Sequence, residues 1–444
     1  MKKYALLILL AIIMLALPWH LRLAQENTFM AGDETYYHAN VAKDLADFGF
    51  SGLHFSNFLD YSIQPYQIVL AISYKLIGSI SFKIIPLIFA LLSFILFIVL
   101  IQKFSFPKNT KLWMLSIFAL SPAFISLGFY NLPFAFELSL ILLSLIILQT
   151  KYPFFAAPFL IIAGINSIPA AIASIFSLAF FAILEKQKRK TSIILSFIPL
   201  MSLILLPYKF LQTFNLLSYF SDLGGIFGFG AFQLILLLIC AILLWPKKQY
   251  ALFFAVSFFL LLAIFVPTLL PFTLPVISIL CGYSLAFLFT RKWEMPSLRT
   301  LTLFVIFLGI LFSAISHATT IAQDSPSTKF ITTLQQFNSG KVLSAEYYGP
   351  WIKFSGHDPL LNTYRTYTSQ KQKDDMNKIL FNTELETTKQ LLDDYKVDYV
   401  IITQEMRKGL VWEEDNFGLA FLVNNNETFK RIPTENNIEI YQVK

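Results

Sequence analysis

The chain has 444 residues, of which 56% are hydrophobic and only 14% charged, with 47 phenylalanines and a formal charge of +7. That balance excludes an ordinary water-soluble fold, since so little charge cannot clothe globular domains of this total size. The charge is also unevenly divided: residues 1–319 hold 20 Lys/Arg against 10 Asp/Glu, and residues 320–444 hold 14 against 17.

The step near Thr320 divides the chain into a predicted transmembrane domain, 1–319, and a predicted soluble domain, 320–444. In the first part the basic residues stand in short clusters between apolar runs. This is the positive-inside pattern of a membrane protein and implies no nucleic-acid partner. Cys240 and Cys281 lie inside apolar runs and read as small core residues.

Taken in order, Met1-Lys2-Lys3 precedes an apolar stretch that no A-x-A-like cleavage site follows. Pro18, Trp19, His20 and Arg22 then read as the interfacial end of a span that stays attached. A membrane span needs roughly 20 mostly apolar residues. Runs of this kind occur at 4–23, 83–102, 112–128, 133–149, 153–165, 167–184, 191–208, 229–245, 249–266, 269–289 and 299–316, predicting about eleven transmembrane helices. With Lys2 and Lys3 inside, Lys103, Lys108, Lys111, Lys151, Lys186–Lys190, Lys247, Lys248, Arg291, Lys292 and Arg299 all fall on the cytoplasmic side. A further apolar stretch at 63–78 would flip the later clusters outside if it crossed, and it is more polar than its neighbours. It is read as a helix lying in the outer interface.

The predicted first outer loop, 24–82, is acidic where the inner loops are basic. Within it, Glu34 to Gly49 is amphipathic, with Tyr37, Val41, Leu45 and Phe48 on one stripe and Gly49 as a stop, giving a second interfacial helix. After the last span, Ser325–Phe337 reads as a helix, Lys341–Ala345 as a strand, 384–395 as a helix, and 398–403, 417–423 and 438–443 as strands. This alternation predicts an extracytoplasmic α/β sheet domain. The fold class expected is therefore mainly α, a polytopic helical membrane domain followed by a small α/β domain.

Several side chains carry candidate chemistry. Asp33 and Glu34 follow Gly32 about ten residues beyond the first span, where a carboxylate can act as a general base or help hold a divalent cation. The residues taken alone favour a helix N-cap, Asp33 standing before a helix over 35–48 with both charges favouring its dipole. Tyr36, Tyr37 and His38 lie on the first turn of that helix, as donor contacts or as interfacial anchors. Glu137 is an acidic residue inside an apolar run, which marks either function or a hydrogen bond within the bundle. Lys209, at the outer end of the seventh span, suits a lipid phosphate or simply snorkels to the interface. The glycine-rich stretch 223–230 has no Gly-Lys-Ser/Thr after it and is not a phosphate loop.

Gly32-Asp33-Glu34-x-x-Tyr37-His38-x-x-x-Ala42, then Tyr61-Ser-Ile-Gln-Pro65-Tyr66, then Ser121-Pro122 occur in an order that resembles the GT-C glycosyltransferases. Those enzymes move sugar from a polyprenyl-phosphate or -diphosphate carrier on the outer face of the membrane. Ala345-Glu346-Tyr347-Tyr348-Gly349-Pro350-Trp351-Ile352 resembles the Trp-Trp-Asp-Tyr-Gly-x-Trp-Ile signature of the archaeal-type oligosaccharyltransferase catalytic subunits, matching at Tyr348, Gly349, Trp351 and Ile352. The leading tryptophans and the aspartate, with which that family reads its acceptor sequon, are replaced. Asn131 stands where the family's second acidic motif is expected.

The resemblance implies an inverting glycosyltransferase with a lipid-linked donor and a protein or glycan acceptor, multi-pass in the cytoplasmic membrane, amino terminus inside and carboxyl-terminal domain outside. It implies catalytic roles for Asp33 and Glu34, with His38, Tyr37, Lys209, Glu137, Tyr348 and Trp351 toward substrate. It also allows a divalent cation, Mg or Mn, with Asp33 as one ligand. A lipid-linked glycan transporter or flippase, or a glycolipid-binding relative without turnover, is the alternative.

Overall fold

The computed structural model describes residues 2–48, 64–184, 188–205, 220–223, 225–244, 250–363, 370–413, 417–434 and 438–444. Contacts divide the chain into two compact units. The first comprises Met1–Gln25 and Ala42–Gln323, and the second Glu26–Val41 and Asp324–Lys444.

The helices in chain order up to the last long one are α1 (Lys2–Ala24), α2 (Asp33–Phe48), α3 (Pro65–Ile77), α4 (Ser81–Lys103), α5 (Lys108–Ala119), α6 (Pro122–Phe129), α7 (Phe134–Leu148), α8 (Ala157–Asn166), α9 (Ile168–Leu184), α10 (Arg189–Leu205), α11 (Ala231–Leu244), α12 (Tyr250–Phe265), α13 (Leu270–Thr290) and α14 (Pro296–Ala322). Among the described residues four stretches are long and apolar enough to cross a membrane: Lys2–Ala24, Pro65–Lys103, Pro267–Thr290 and Pro296–Ala322. A fifth arises if α5 and α6 are one span broken by a 51° bend at Ser121-Pro122, where the proline removes a helical donor. The other apolar runs form helices of 10–17 residues among the described residues. The run 63–78 is the separate helix α3, opened by Pro65 and joined to α4 through the 3-10 turn Gly78–Ile80.

The first unit inverts the pattern of a soluble protein. On α14, a rod of roughly 40 Å at 1.5 Å per residue, Leu301, Phe304, Leu308, Phe312 and Ile315 are exposed, while Ser313, Ala314, His317 and Ala318 are buried. Small and polar residues face the bundle and large apolar ones face outward, as lipid solvation favours. Ser93 on α4 and Ser139 on α7 meet at 2.9 Å, and the Phe89 carbonyl of α4 lies within hydrogen-bond distance of both hydroxyls, at 2.9 and 3.0 Å. An aromatic cluster of Phe94 and Phe97 from α4, Phe118 from α5 and Phe124 from α6 joins these three helices. The fully buried Arg22 at the end of α1 donates from Nη1 to the carbonyl of Ala322, the last residue of α14, at 2.9 Å. A cation there meets the negative end of the helix dipole.

In the second unit the elements after α14 are α15 (Thr328–Gln335), β1 (Lys341–Leu343), α16 (Gly349–Phe354), β2 (Asp358–Pro359), α17 (Gln370–Phe381), α18 (Leu385–Asp394), β3 (Tyr399–Thr403), α19 (Leu419–Leu422), β4 (Phe429–Ile432) and β5 (Ile438–Val443). The five strands run in the order β2-β1-β3-β5-β4. The first three are mutually parallel, and β5 lies antiparallel between β3 and β4, with Ile401 opposite Ile440. The strand expected at 417–423 is instead the short helix α19. Leu419, Ala420, Leu422 and Val423 are buried and Phe421 is exposed, a helical and not an alternating spacing. The edge strand β4 takes its place in the sheet. The helix expected at Ser325–Phe337 is shorter, starting after Ser327, whose hydroxyl accepts from the Phe330 amide at 3.2 Å.

Two outcomes are expected. A Cβ on Gly282 of α13 would stand 2.5 Å from the backbone of Met114 on α5, so Gly282→Ala forces the two helices apart and costs about 1–3 kcal/mol, read as a lower thermal transition in detergent. In the sheet, Arg407 Nη2 lies 2.6 Å and Tyr441 Oη 2.8 Å from Glu439 Oε2. Burial pushes the Glu439 carboxyl up, but these partners outweigh it and hold it below the usual carboxylate range. A depressed carboxyl stabilises above its unfolded pKa and loses that contribution as pH falls through the folded one. Glu439→Gln therefore lowers stability by about 1 kcal/mol at neutral pH and by less in acid, measurable in urea titrations at pH 7 and below pH 4.

Candidate functional site

The second unit carries the acidic motif. Gly32 has φ +80° and its amide donates to the Ser325 carbonyl at 2.7 Å. A residue with a Cβ is strained at that φ, so Gly32 lets the chain turn directly into α2. Helix α2 begins at Asp33 itself, which corrects the expectation of an N-cap before residue 35: Asp33 and Glu34 both lie in the first turn. Their charges still meet the positive end of the dipole there.

The buried face of α2 differs from the predicted stripe. Tyr36, His38, Ala39 and Asn40 are buried, while Tyr37 and Val41 are only half-buried. Tyr36 Oη donates to the Met30 carbonyl at 3.0 Å, and Asn40 Nδ2 to the Pro350 carbonyl at 2.8 Å. Polar side chains with backbone partners occupy the inner face, which a reading of apolar spacing cannot detect. His38 Nε2 lies 3.8 Å from Glu34 Oε1 one turn back, and its ring is 5.2 Å from that of Tyr37. Glu34 is 44% exposed in its side chain and His38 2%.

The signature stretch packs beside this helix within the same unit. Tyr348 and Trp351, each 2% exposed, form an aromatic core with Phe330, the Tyr348 and Trp351 rings lying 5.3 Å apart. Tyr348 Oη donates to Glu405 Oε2 at 2.7 Å and lies 2.9 Å from Thr403 Oγ1. Tyr347, by contrast, is 36% exposed, its ring 4.9 Å from that of Trp351. Burial raises its phenol pKa, and the charges of Asp33, Asp324 and Glu405 raise it further. Tyr347 thus stays a hydrogen-bond donor, with Asp33 inside its electrostatic reach. Tyr347, Asp324 and Glu405 were not marked as site residues by the sequence pattern, because nearly the whole of the first unit separates Asp33 from Asp324 in the sequence.

The first unit holds Glu137 in a different setting. Tyr66 at the start of α3, Asn131 before α7, Glu137 in the first turn of α7 and Asn166 ending α8 are all fully buried. Tyr66 donates from Oη to Asn131 Oδ1 at 2.7 Å and from its amide to Asn166 Oδ1 at 2.9 Å, while Asn166 Nδ2 donates to Glu137 Oε1. Glu137 therefore ties three helix ends and a loop together. A second set joins the buried Ser126 to His317 Nε2 at 2.7 Å and places the exposed Asp222 against Ser313, with Asp222 Oδ2 accepting from the Ala231 amide at 2.8 Å. Lys209 lies outside the described residues. Among the described residues no group of three or more His, Cys, Asp or Glu is arranged to hold a metal ion.

Removing Glu137 leaves the Asn166 amide without this acceptor, at a cost of about 1–3 kcal/mol. Glu137→Leu is expected to lower the thermal transition in detergent, and Glu137→Gln, which keeps an acceptor oxygen, to recover most of the loss.

No protein-family model and no curated protein matches the chain. Solved structures do. The apo form of an oligosaccharyltransferase from Archaeoglobus fulgidus aligns with a TM-score of 0.68 at 11% identity, covering 97% of this chain and 73% of that one. The oligosaccharyltransferase AglB of the same organism, in complex with an inhibitory peptide and a dolichol-phosphate, aligns with a TM-score of 0.65 at 12% identity over 97% and 72%. A form in complex with Zn and sulfate aligns at 0.61 and 13% over 95% and 71%. The resemblance read from short motifs thus has its counterpart in the architecture, and the fold of this chain is similar to that of the archaeal oligosaccharyltransferases.

Proposed function

We propose that this chain is an integral-membrane glycosyltransferase, transferring a sugar or oligosaccharide from a polyprenyl-phosphate-type carrier to an acceptor on the extracytoplasmic side. The observation that carries the reading is the shared fold over 97% of the chain together with Asp33 in the first turn of α2, within electrostatic reach of the partly exposed Tyr347. The neighbouring complex with an inhibitory peptide and a dolichol-phosphate supports a lipid-linked donor and a peptide-like acceptor here.

In this reading Asp33 accepts the proton of the attacking acceptor group as the new bond forms at the anomeric carbon. The bond from that carbon to the carrier phosphate breaks on the opposite face, the phosphate leaves with the electron pair, and configuration inverts. Glu34 keeps the site anionic and orients His38, which contacts the donor, with Tyr37 beside it. Tyr347 donates toward the acceptor, and Tyr348 and Trp351 form the aromatic base that holds it. Glu137 acts on substrate only through the helix ends it ties together. Lys209 is assigned to the donor phosphate on its position in the sequence.

A second reading, glycolipid binding without turnover, is favoured by Asn131 standing in place of a carboxylate and being bonded to Tyr66. Transfer from a radiolabelled polyprenyl-phosphate sugar in membranes separates the two. Asp33→Asn is expected to lower transfer by about a hundredfold or more, the size of a lost general base, while donor binding persists. Unchanged transfer in that variant, or donor binding with no transfer by the wild type, would falsify the catalytic assignment.

A further inference from the structure

At the end of the first unit that carries Lys3, Lys108 and Arg299, helices α1, α5, α13 and the start of α14 enclose a cavity of about 910 Å³. The volume is at the upper end of what a bound small molecule fills. Its rim is cationic, with Lys3 from α1, Lys108 from the start of α5 and Arg299 from α14, and no Asp or Glu among the described residues lines it. Lys3 and Lys108 have no carboxylate partner among the described residues. Arg299 spends one donor on the Phe289 carbonyl at 2.7 Å, which fixes its guanidinium at the rim.

The floor is apolar. Leu6, Leu112 and Phe287 line it, and the Trp113 ring stacks on Phe289 at 4.5 Å. Leu6 is 67% exposed, so the floor continues onto the outward apolar surface of the bundle. A soluble anion would match the rim and leave the floor uncovered, and a neutral hydrocarbon would match the floor and leave three cations facing nothing. An amphiphile with a phosphate at one end satisfies both.

We propose that this end of the bundle is a binding site for one anionic phospholipid, its phosphate held by Lys3, Lys108 and Arg299 and an acyl chain lying over Leu6, Leu112 and Phe287. The site is remote in sequence from Asp33 and needs no assumption about the transferase reaction.

Native mass spectrometry of the full chain in detergent, titrated with phosphatidylglycerol or phosphatidylcholine, tests it. Phosphatidylglycerol is expected to bind in preference. The variant K3Q/K108Q/R299Q is expected to lose about fivefold in affinity per cation, about a hundredfold in all. K396Q/K408Q/K430Q, which removes the same charge from the second unit, should bind as the wild type does. Ser116→Phe, which fills the floor and keeps every cation, should also weaken binding, with thermal unfolding confirming that each variant is folded. Equal binding of the two lipids, an unchanged affinity in the rim variant, or displacement of the lipid by inorganic phosphate at equal concentration would each overturn the proposal.

Discussion

The buried Arg22 is the constraint from which the rest of the architecture follows. A guanidinium excluded from water must be satisfied by the protein, and it finds the carbonyl of Ala322. That bond joins the end of the first long helix to the end of the last one, across some 300 residues of sequence. The chain leaves both helices at the same place. Glu26–Val41 and Asp324–Lys444 therefore build one compact unit, stitched by Gly32 to Ser325 and by Thr28 and Asn27 to Thr328.

This explains how an acidic motif next to the first span becomes part of a domain encoded after the last one. Asp33 sits in the first turn of a helix whose inner face is held by Tyr36 and Asn40, and the electrostatic environment of Tyr347 includes Asp33 from one end of the chain and Asp324 and Glu405 from the other. The aromatic base beneath Tyr347 is rigid because Tyr348 is bonded to Glu405 and packed on Trp351 and Phe330. Tyr347 thus presents a phenol directly before the buried Tyr348, in a chain whose fold is similar to that of the archaeal oligosaccharyltransferases.

Within the first unit the same rule, that a buried polar group needs a partner, recurs at the helix ends around Tyr66. Helices begin or end at Pro65 and Ser167, leaving backbone groups free. Asn166, Asn131 and Glu137 supply part of the hydrogen bonding around them through Tyr66. A carboxylate in an apolar run, which by itself signals function, is here part of the joinery of three helices.

The membrane character, the acidic stretch after the first span and most of the sheet elements are legible in the sequence, because apolar runs, charge clusters and β-branched segments act over a few neighbouring residues. Lys341–Leu343, Leu385–Asp394, Tyr399–Thr403 and Ile438–Val443 fall where local pattern puts them. The edge strands Asp358–Pro359 and Phe429–Ile432 do not, since a two-residue strand with a proline and a strand with exposed Lys430 and Arg431 owe their state to pairing with β1 and β5. The helix at Leu419–Leu422 likewise answers to what surrounds it. Asp33 and Glu34 are visible in the sequence as a pair of carboxylates. Their place inside α2, the burial of His38 and the company of Tyr347, Asp324 and Glu405 were decided only by tertiary structure, because long-range contacts such as the Arg22 bond determine which distant side chains become neighbours.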